Sequence, residues 1–280
     1  MNPAQKKLFQ TMDLQTKITG SILISLLFIL SSCQKVIDID LNSSDPEIVI
    51  EASIDQTSLC TVTLSRTVNF DASNNFPVIS GAIVILNDGL NTDTLNEDSA
   101  GHYSTTAITG TPGTTYELYV NVEGETYTAY STMPQPVSID SVYIKTEEGF
   151  FGDDDEDYIR VQFYDPDGVN NYYRYNIIVN QTNEKLTSIS DDEINQGELI
   201  ERNLLGQKDD NDENQFVSGD TASVFLYALD KDVYDYYRTL NDLTGNFSAA
   251  APANPLTNFN NNALGFFSAH AYTTYNIVIP

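Results

Sequence analysis

The chain lacks most of the side chains on which enzymes usually depend. It has no tryptophan, two histidines and two cysteines. The histidines, His102 and His270, are far apart in the sequence and make a small inventory of general bases. No Gly-x-Ser-x-Gly nucleophile motif occurs anywhere in the chain. These absences favour a non-enzymatic protein without a cofactor.

Basic residues are also scarce. Thirteen Lys and Arg stand against 40 Asp and Glu, for a net charge of −27. Residues 1–32 hold three of the basic residues and one of the acidic ones, so the remainder carries a net charge of −29. Such a surface repels phosphate backbones, and we expect no nucleic-acid partner.

Long apolar runs are missing except for one short run near the N-terminus. Residues 18–29 are mostly apolar, follow Lys17 and fall short of the roughly 20 residues that a transmembrane helix needs. This pattern is typical of a secretory signal peptide. The run ends in Leu30-Ser31-Ser32-Cys33, which resembles the lipobox of bacterial lipoproteins. We therefore predict a signal peptide over residues 1–32 and lipidation at Cys33.

Lipidation of Cys33 places the predicted protein at a membrane, because more than one acyl chain gives stable anchoring at about 0.8 kcal/mol per CH2. Gln34 follows the cysteine, and by resemblance to bacterial sorting rules this favours the outer membrane, on its periplasmic or cell-surface face. Two alternatives stay open: a cleaved signal beside an ordinary cysteine, and an uncleaved anchor.

The chain after Cys33 has the pattern of an all-β protein. Residues 33–46 are a predicted polar tether. Residues 47–134 contain short alternating strands between turn signals, which predicts an immunoglobulin- or fibronectin-like β-sandwich. Cys60 alternates with apolar residues in one strand, so we expect a buried thiol. Prolines near residue 134 mark the predicted boundary to a second β-rich domain over residues 135–280.

The second domain contains the one predicted helix. Apolar and aromatic residues recur at helical spacing from Val233 to Leu243, with Asp230 as the predicted N-cap and Gly245 as the stop. We expect this amphipathic helix to cover an open edge or end of the second sheet. Residues 190–214 are polar and acidic and predict a long surface loop.

Acidic runs are weak candidates for a metal site. The carboxylates of Asp153, Asp154, Asp155 and Asp157 are of the type that Ca2+ prefers. However, Tyr158 stands where an EF-hand loop requires glycine, so we interpret the run as a solvated hairpin tip and predict no metal. Phe150 and Phe151 lie in the same loop and form a candidate contact with a partner.

Two further sets of residues are candidates for ligand contacts. Tyrosines of the second domain have the ring area to stack on sugars, although half of them are expected in the core: Tyr172, Tyr173, Tyr175, Tyr234, Tyr236 and Tyr237. An asparagine-rich segment is either a polar contact surface or a cover over the end of a sheet. Its candidate residues are Asn254, Asn258, Asn260, Asn261 and Asn262.

Several segments, in a fixed order, resemble the DUF4249 family of Bacteroidota lipoproteins. After the lipobox they are Val36–Asp40, Ile48–Ala52, Pro77–Ala82, Met133–Ser141, Asn254–Asn258 and Ala263–Ala269. The resemblance implies a position beside a TonB-dependent outer-membrane transporter and carries over no catalytic residue. We expect an accessory that binds a ligand or partner; the alternative is a structural or envelope-assembly lipoprotein without a small-molecule ligand.

Overall fold

The computed structural model describes residues 45–69, 75–148, 155–181, 184–193, 196–206, 215–244 and 254–280. The predicted signal peptide and Cys33 lie outside this part, as does nearly all of the tether. The loop candidates Phe150, Phe151, Asp153 and Asp154 also lie outside it.

Alternation of apolar and polar residues builds the strands of the first half, because successive side chains of a strand point to opposite faces. These strands are β1 (Ile48–Asp55), β2 (Leu59–Arg66), β3 (Ile83–Asn87), β4 (Thr92–Thr94), β5 (Asn96–Ser99), β6 (His102–Thr109), β7 (Thr115–Val122) and β8 (Glu125–Thr132). The sequence predicts a hairpin that turns at Glu123-Gly124, with Tyr116, Leu118, Val120 and Val122 facing inward. The β7–β8 hairpin turns at these two residues, and the four side chains are buried.

The second half adds seven strands and a helix. They are β9 (Ser141–Glu147), β10 (Glu156–Tyr164), β11 (Tyr172–Val179), β12 (Glu184–Asp191), β13 (Leu199–Gly206), β14 (Thr221–Leu229), α1 (Lys231–Thr244) and β15 (Leu264–Val278). The all-β prediction is confirmed. No helix among the described residues has the length and hydropathy to cross a membrane.

The described residues form three sheets, and their last strand lies in the middle of the largest. The eight-stranded sheet has the order β12-β11-β14-β15-β1-β2-β6-β5, beside a four-stranded sheet β4-β3-β7-β8 and a three-stranded sheet β13-β10-β9. β15 runs parallel to β1 along its first half and antiparallel to β14 along its second half. One strand therefore joins the N-terminal strands to those of the second half.

Two hydrophobic cores lie on one face of the eight-stranded sheet. The first fills the space under the four-stranded sheet and includes Ile50, Leu118 and Phe267. The second lies under the three-stranded sheet and includes Phe163 and Tyr175. Alternate residues of β15 contribute to both cores, so the two smaller sheets cover neighbouring parts of the same face.

Some sequence predictions are wrong in detail. Residues 199–206, expected in a surface loop, form β13, whose Ile200 and Leu205 are buried in the second core. The sequence pattern predicts two strands near the C-terminal end, over residues 264–269 and 275–279, but the structure has one continuous strand, Leu264–Val278, and Ile279 lies just outside it. The domain boundary at residue 134 stays a prediction; in the structure the described residues form one compact unit, in which β15 belongs to both cores.

The helix begins where the sequence predicts. The Oδ1 of Asp230 accepts a hydrogen bond from the backbone N of Val233 at 2.9 Å, which is an N-cap. Its Oδ2 accepts bonds from the hydroxyl of Ser131 and the backbone N of Thr132 in β8. Burial raises the pKa of Asp230, although these hydrogen bonds act in the opposite direction. One carboxylate thus ties α1 to the four-stranded sheet.

Gly265 allows the parallel pairing of β1 and β15. Its φ is +94°, and a Cβ there would lie 2.1 Å from the carbonyl O of Ile50. We expect G265A to lower the free energy of unfolding by about 1–3 kcal/mol more than G124A, because overpacking of a tight contact is added to backbone strain. Gly124 is the matched control, since its φ is +88° and its Cβ would meet nothing within 4 Å. Equal losses in urea titrations of the two variants would contradict the role of this contact.

The raised pKa of Asp230 predicts a pH-dependent stability. A carboxyl whose pKa is higher in the folded state stabilises most below its unfolded value, and this contribution is lost as pH rises through the folded value. D230N keeps an N-cap oxygen and removes the titration. We expect the unfolding free energy of the wild type, relative to D230N, to fall as pH rises from about 4 toward neutrality. D232N, which changes an exposed residue in the first turn of α1, is the control. A difference in unfolding free energy between the wild type and D230N that does not change with pH would contradict the prediction.

Candidate functional site

The asparagine-rich segment is fixed to both sheets of the first core. Asn258 uses its side-chain amide like a strand backbone: Nδ2 donates to the carbonyl O of Phe267 at 2.7 Å, and Oδ1 accepts from the Phe267 N at 2.9 Å. The same Nδ2 donates to the carbonyl O of Tyr130 in β8 at 3.2 Å. Asn258 therefore joins the edge of β8 to β15.

Two other asparagines of the segment also bind the free edge of β8. The Oδ1 of Asn260 accepts from the backbone N of Thr128 at 2.8 Å, and Asn261 Nδ2 donates to the carbonyl O of Thr126 at 2.8 Å. Asn254 and Asn262 are exposed. Of the two interpretations from sequence, this geometry favours a cover over the sheet edge, which also protects the edge from pairing with another chain.

The acidic candidates that the structure describes do not form a metal centre. Asp157 Oδ1 accepts a hydrogen bond from the hydroxyl of Thr146 at 2.6 Å, across the β9–β10 pair. Among the described residues, no group of three or more His, Cys, Asp and Glu side chains is arranged to hold a metal ion.

The tyrosines proposed for sugar stacking serve the fold instead. Tyr173 and Tyr175 are fully buried in the second core. The ring centres of Tyr172 and Tyr234 lie 5.0 Å apart, and this contact packs α1 against β11. Tyr236 packs on the ring of Phe266 at 4.7 Å. The helix thus covers the face of the large sheet opposite the cores, and the expectation that it covers an edge or end is wrong.

Arg174 is the cation at the centre of this helix contact. Its guanidinium lies 4.3 Å from the ring centre of Tyr227 and 4.9 Å from that of Tyr237, and its Nη1 donates to the Tyr237 hydroxyl. Among the described residues it makes no ion pair, and its Nε is buried without a hydrogen-bond partner. Cation–π contacts stabilise the charge here, so Arg174 takes part in the packing of α1 on the sheet.

The thiol of Cys60 and the imidazole of His270 are both in unreactive states. Cys60 is buried in the first core, and burial raises its pKa to about 12. Burial also lowers the pKa of His270 to about 4, and its Nδ1 lies 3.0 Å from the hydroxyl of Ser268. The thiol is therefore protonated and the imidazole neutral near pH 7, so their role is packing.

The outer face of the four-stranded sheet offers a different kind of surface. Residues that alternate with the core positions of β3 and β7 point outward, and cross-strand pairing sets them side by side. In the register of β3 and β7, Ile85 is paired with Tyr119, Ile83 with Asn121, and Asn87 with Glu117. Together with Thr92 they line a concavity of about 540 Å³, which we call the outer-face concavity. Its size lies within the range of small-ligand sites.

The outer-face concavity is apolar in the centre and polar at both ends. Ile85 and Tyr119 form the floor, while Ile83 is 54% exposed at its margin. At one end Glu117 accepts a hydrogen bond from the Tyr130 hydroxyl at 2.6 Å, which raises the pKa of Tyr130. At the other end Asn121 Nδ2 donates to the hydroxyl of Thr126 at 3.0 Å. These bonds preorient polar groups around an apolar centre.

Sequence reasoning missed this surface. The inward residues of β7 are correctly predicted, and their outward neighbours follow by alternation. The alternation does not show that β3 pairs with β7, because some 27 residues and three other strands separate them in the chain. The floor of the concavity exists only through that pairing.

The role of Asn258 as a bridge is testable. We expect N258A to lower the unfolding free energy by about 2–3 kcal/mol, because the backbone groups of Phe267 lose their partners in a part-buried site. N262A is the matched control, since Asn262 is exposed in the same segment, and it should change stability by less than about 0.5 kcal/mol. Similar urea unfolding curves for the two variants would show that Asn258 is no bridge.

Comparison with known proteins gives a family and no activity. No curated protein matches the chain. The model of a family described as a domain of unknown function, DUF4249, matches residues 34–276 and thus confirms the family that the sequence resembles. The matched range covers most of the chain, nearly all of both cores and the outer-face concavity. The chain therefore belongs to the DUF4249 family.

Proposed function

We propose that this protein is a lipid-anchored accessory of the bacterial outer membrane, which binds a ligand or partner beside a TonB-dependent transporter and catalyses no reaction. The observation that carries the binding role is the outer-face concavity. It combines an apolar floor with polar groups at both ends, as small-molecule binding sites do. The face lies opposite the core, so a ligand reaches it without opening the fold.

The anchor is supported by the sequence around Cys33. A short apolar run ends at the lipobox-like Leu30-Ser31-Ser32-Cys33, and the family match begins at the next residue, Gln34. Lipid on Cys33 fixes the chain at a membrane from its N-terminal side, while the polar residues before β1 provide a spacer. The position beside a transporter rests on the resemblance to Bacteroidota lipoproteins of this family.

Affinity purification from the native organism tests this role. The full-length protein, with a C-terminal tag, is extracted from membranes with a mild detergent, and co-purified proteins are identified by mass spectrometry. We expect lipid labelling, enrichment in the outer membrane and co-purification of a TonB-dependent barrel. C33S should lose all three, because the acyl chains supply the membrane affinity.

Cys60 provides the matched control for the anchor. C60A changes the other cysteine, which is buried in the first core, and should keep lipid labelling and membrane enrichment. Labelling of C33S would contradict the anchor site. Purified wild-type protein without any TonB-dependent barrel would contradict the transporter role and leave the structural or envelope-assembly alternative.

A further inference from the structure

The outer-face concavity carries an inference about the class of its ligand, which rests on the proposed binding role. We infer that it takes a neutral oligosaccharide. A sugar ring has an apolar C–H face bordered by hydroxyl groups. Ile85 and Tyr119 offer the matching apolar floor, and polar side chains stand at both ends of it.

The polar side chains keep hydrogen-bonding capacity for a ligand. Within the described residues, the bonds of the face use one oxygen of Glu117, the side-chain nitrogen of Asn121 and the oxygen of Asn87. The hydroxyl of Tyr119 also lies 3.3 Å from that of Thr126. A second carboxylate oxygen, an amide oxygen and an amide nitrogen are left, so the site has both acceptors and a donor. The hydroxyl groups of a sugar can bond to both the acceptors and the donor, because each hydroxyl donates and accepts.

The charge of the site disfavours an anionic ligand. Glu117 is its one ionisable carboxylate, and neither lysine nor arginine lines it. The chain after residue 32 also carries a net charge of −29 (13 − 3 basic and 40 − 1 acidic residues). An anionic ligand would meet repulsion without a counter-charge. The single carboxylate is suited to accept from sugar hydroxyls.

Size and composition favour a sugar over a protein partner. A volume of about 540 Å³ suits a small ligand. A stable protein contact buries roughly 800 Å² on each partner, and its core is enriched in aromatic residues, methionine and arginine. The concavity has one aromatic ring, Tyr119, and its remaining lining residues are Ile, Asn, Thr and Glu.

Isothermal titration of the full-length lipoprotein tests the assignment. The detergent must lack a sugar head group, and the probes are maltohexaose, cellohexaose, xylohexaose and the anionic hexagalacturonate. We expect at least one neutral hexasaccharide to bind and hexagalacturonate to bind more weakly. Y119A should raise the Kd about tenfold or more through loss of the ring, whereas Y119F should stay within about threefold. Y164A, which removes an exposed tyrosine from β10, is the surface control.

Thermal unfolding of each variant separates loss of binding from loss of fold. Absence of binding to all three neutral probes, preference for hexagalacturonate, or an unchanged Kd in folded Y119A would overturn the inference. The same preparations are examined for a co-purified TonB-dependent barrel. A barrel without sugar binding overturns the ligand class alone, whereas sugar binding without a barrel contradicts the transporter role alone. Loss of the barrel in Y119A, with no sugar bound, would identify the face as a protein contact.

Discussion

The parallel pairing of β1 with β15 is the constraint on which the rest of the structure depends. Strands separated by most of the chain lie side by side, and at Gly265 the two backbones approach too closely for any side chain. The second half of the same strand pairs with β14. Alternate residues of β15 therefore enter both cores, and the order of the eight-stranded sheet follows from this one strand. Closing such a long loop has an entropic cost, which the burial of apolar residues from both halves must offset.

Around β15, polar side chains satisfy the backbone where strands end. Asn258 hydrogen-bonds both backbone groups of Phe267, and the hydroxyl of Ser131 accepts from the backbone N of Ala269 at 2.8 Å. Ser131 in turn donates to the N-cap carboxylate Asp230. Buried backbone groups without partners are costly, so these contacts allow the four-stranded sheet, β15 and α1 to meet without a regular ladder.

The outward surfaces of the sheets differ in what they leave for a ligand. Aromatic rings and Arg174 fill the face of the large sheet under α1, where packing and cation–π contacts satisfy them. In the part of the chain that the structure describes, no helix lies over the outer-face concavity. Its outward residues keep an apolar centre and unused hydrogen-bonding atoms. This contrast favours the outer face of the four-stranded sheet, and not the face under α1, as the binding surface.

Local pattern in the sequence determined the all-β class, the β7–β8 hairpin, the buried Cys60 and a helix capped by Asp230, because alternation, turn residues and caps act over a few neighbouring residues. It also predicted the anchor at Cys33, which lies outside the described residues. Only the tertiary structure decided that β15 joins both cores, that β13 is a strand, that the tyrosines near α1 are structural, and that Ile85 lies beside Tyr119. Those outcomes depend on which distant strands pair. The hydrophobic pattern of a strand specifies which of its side chains face inward, but it does not specify which strand lies beside it.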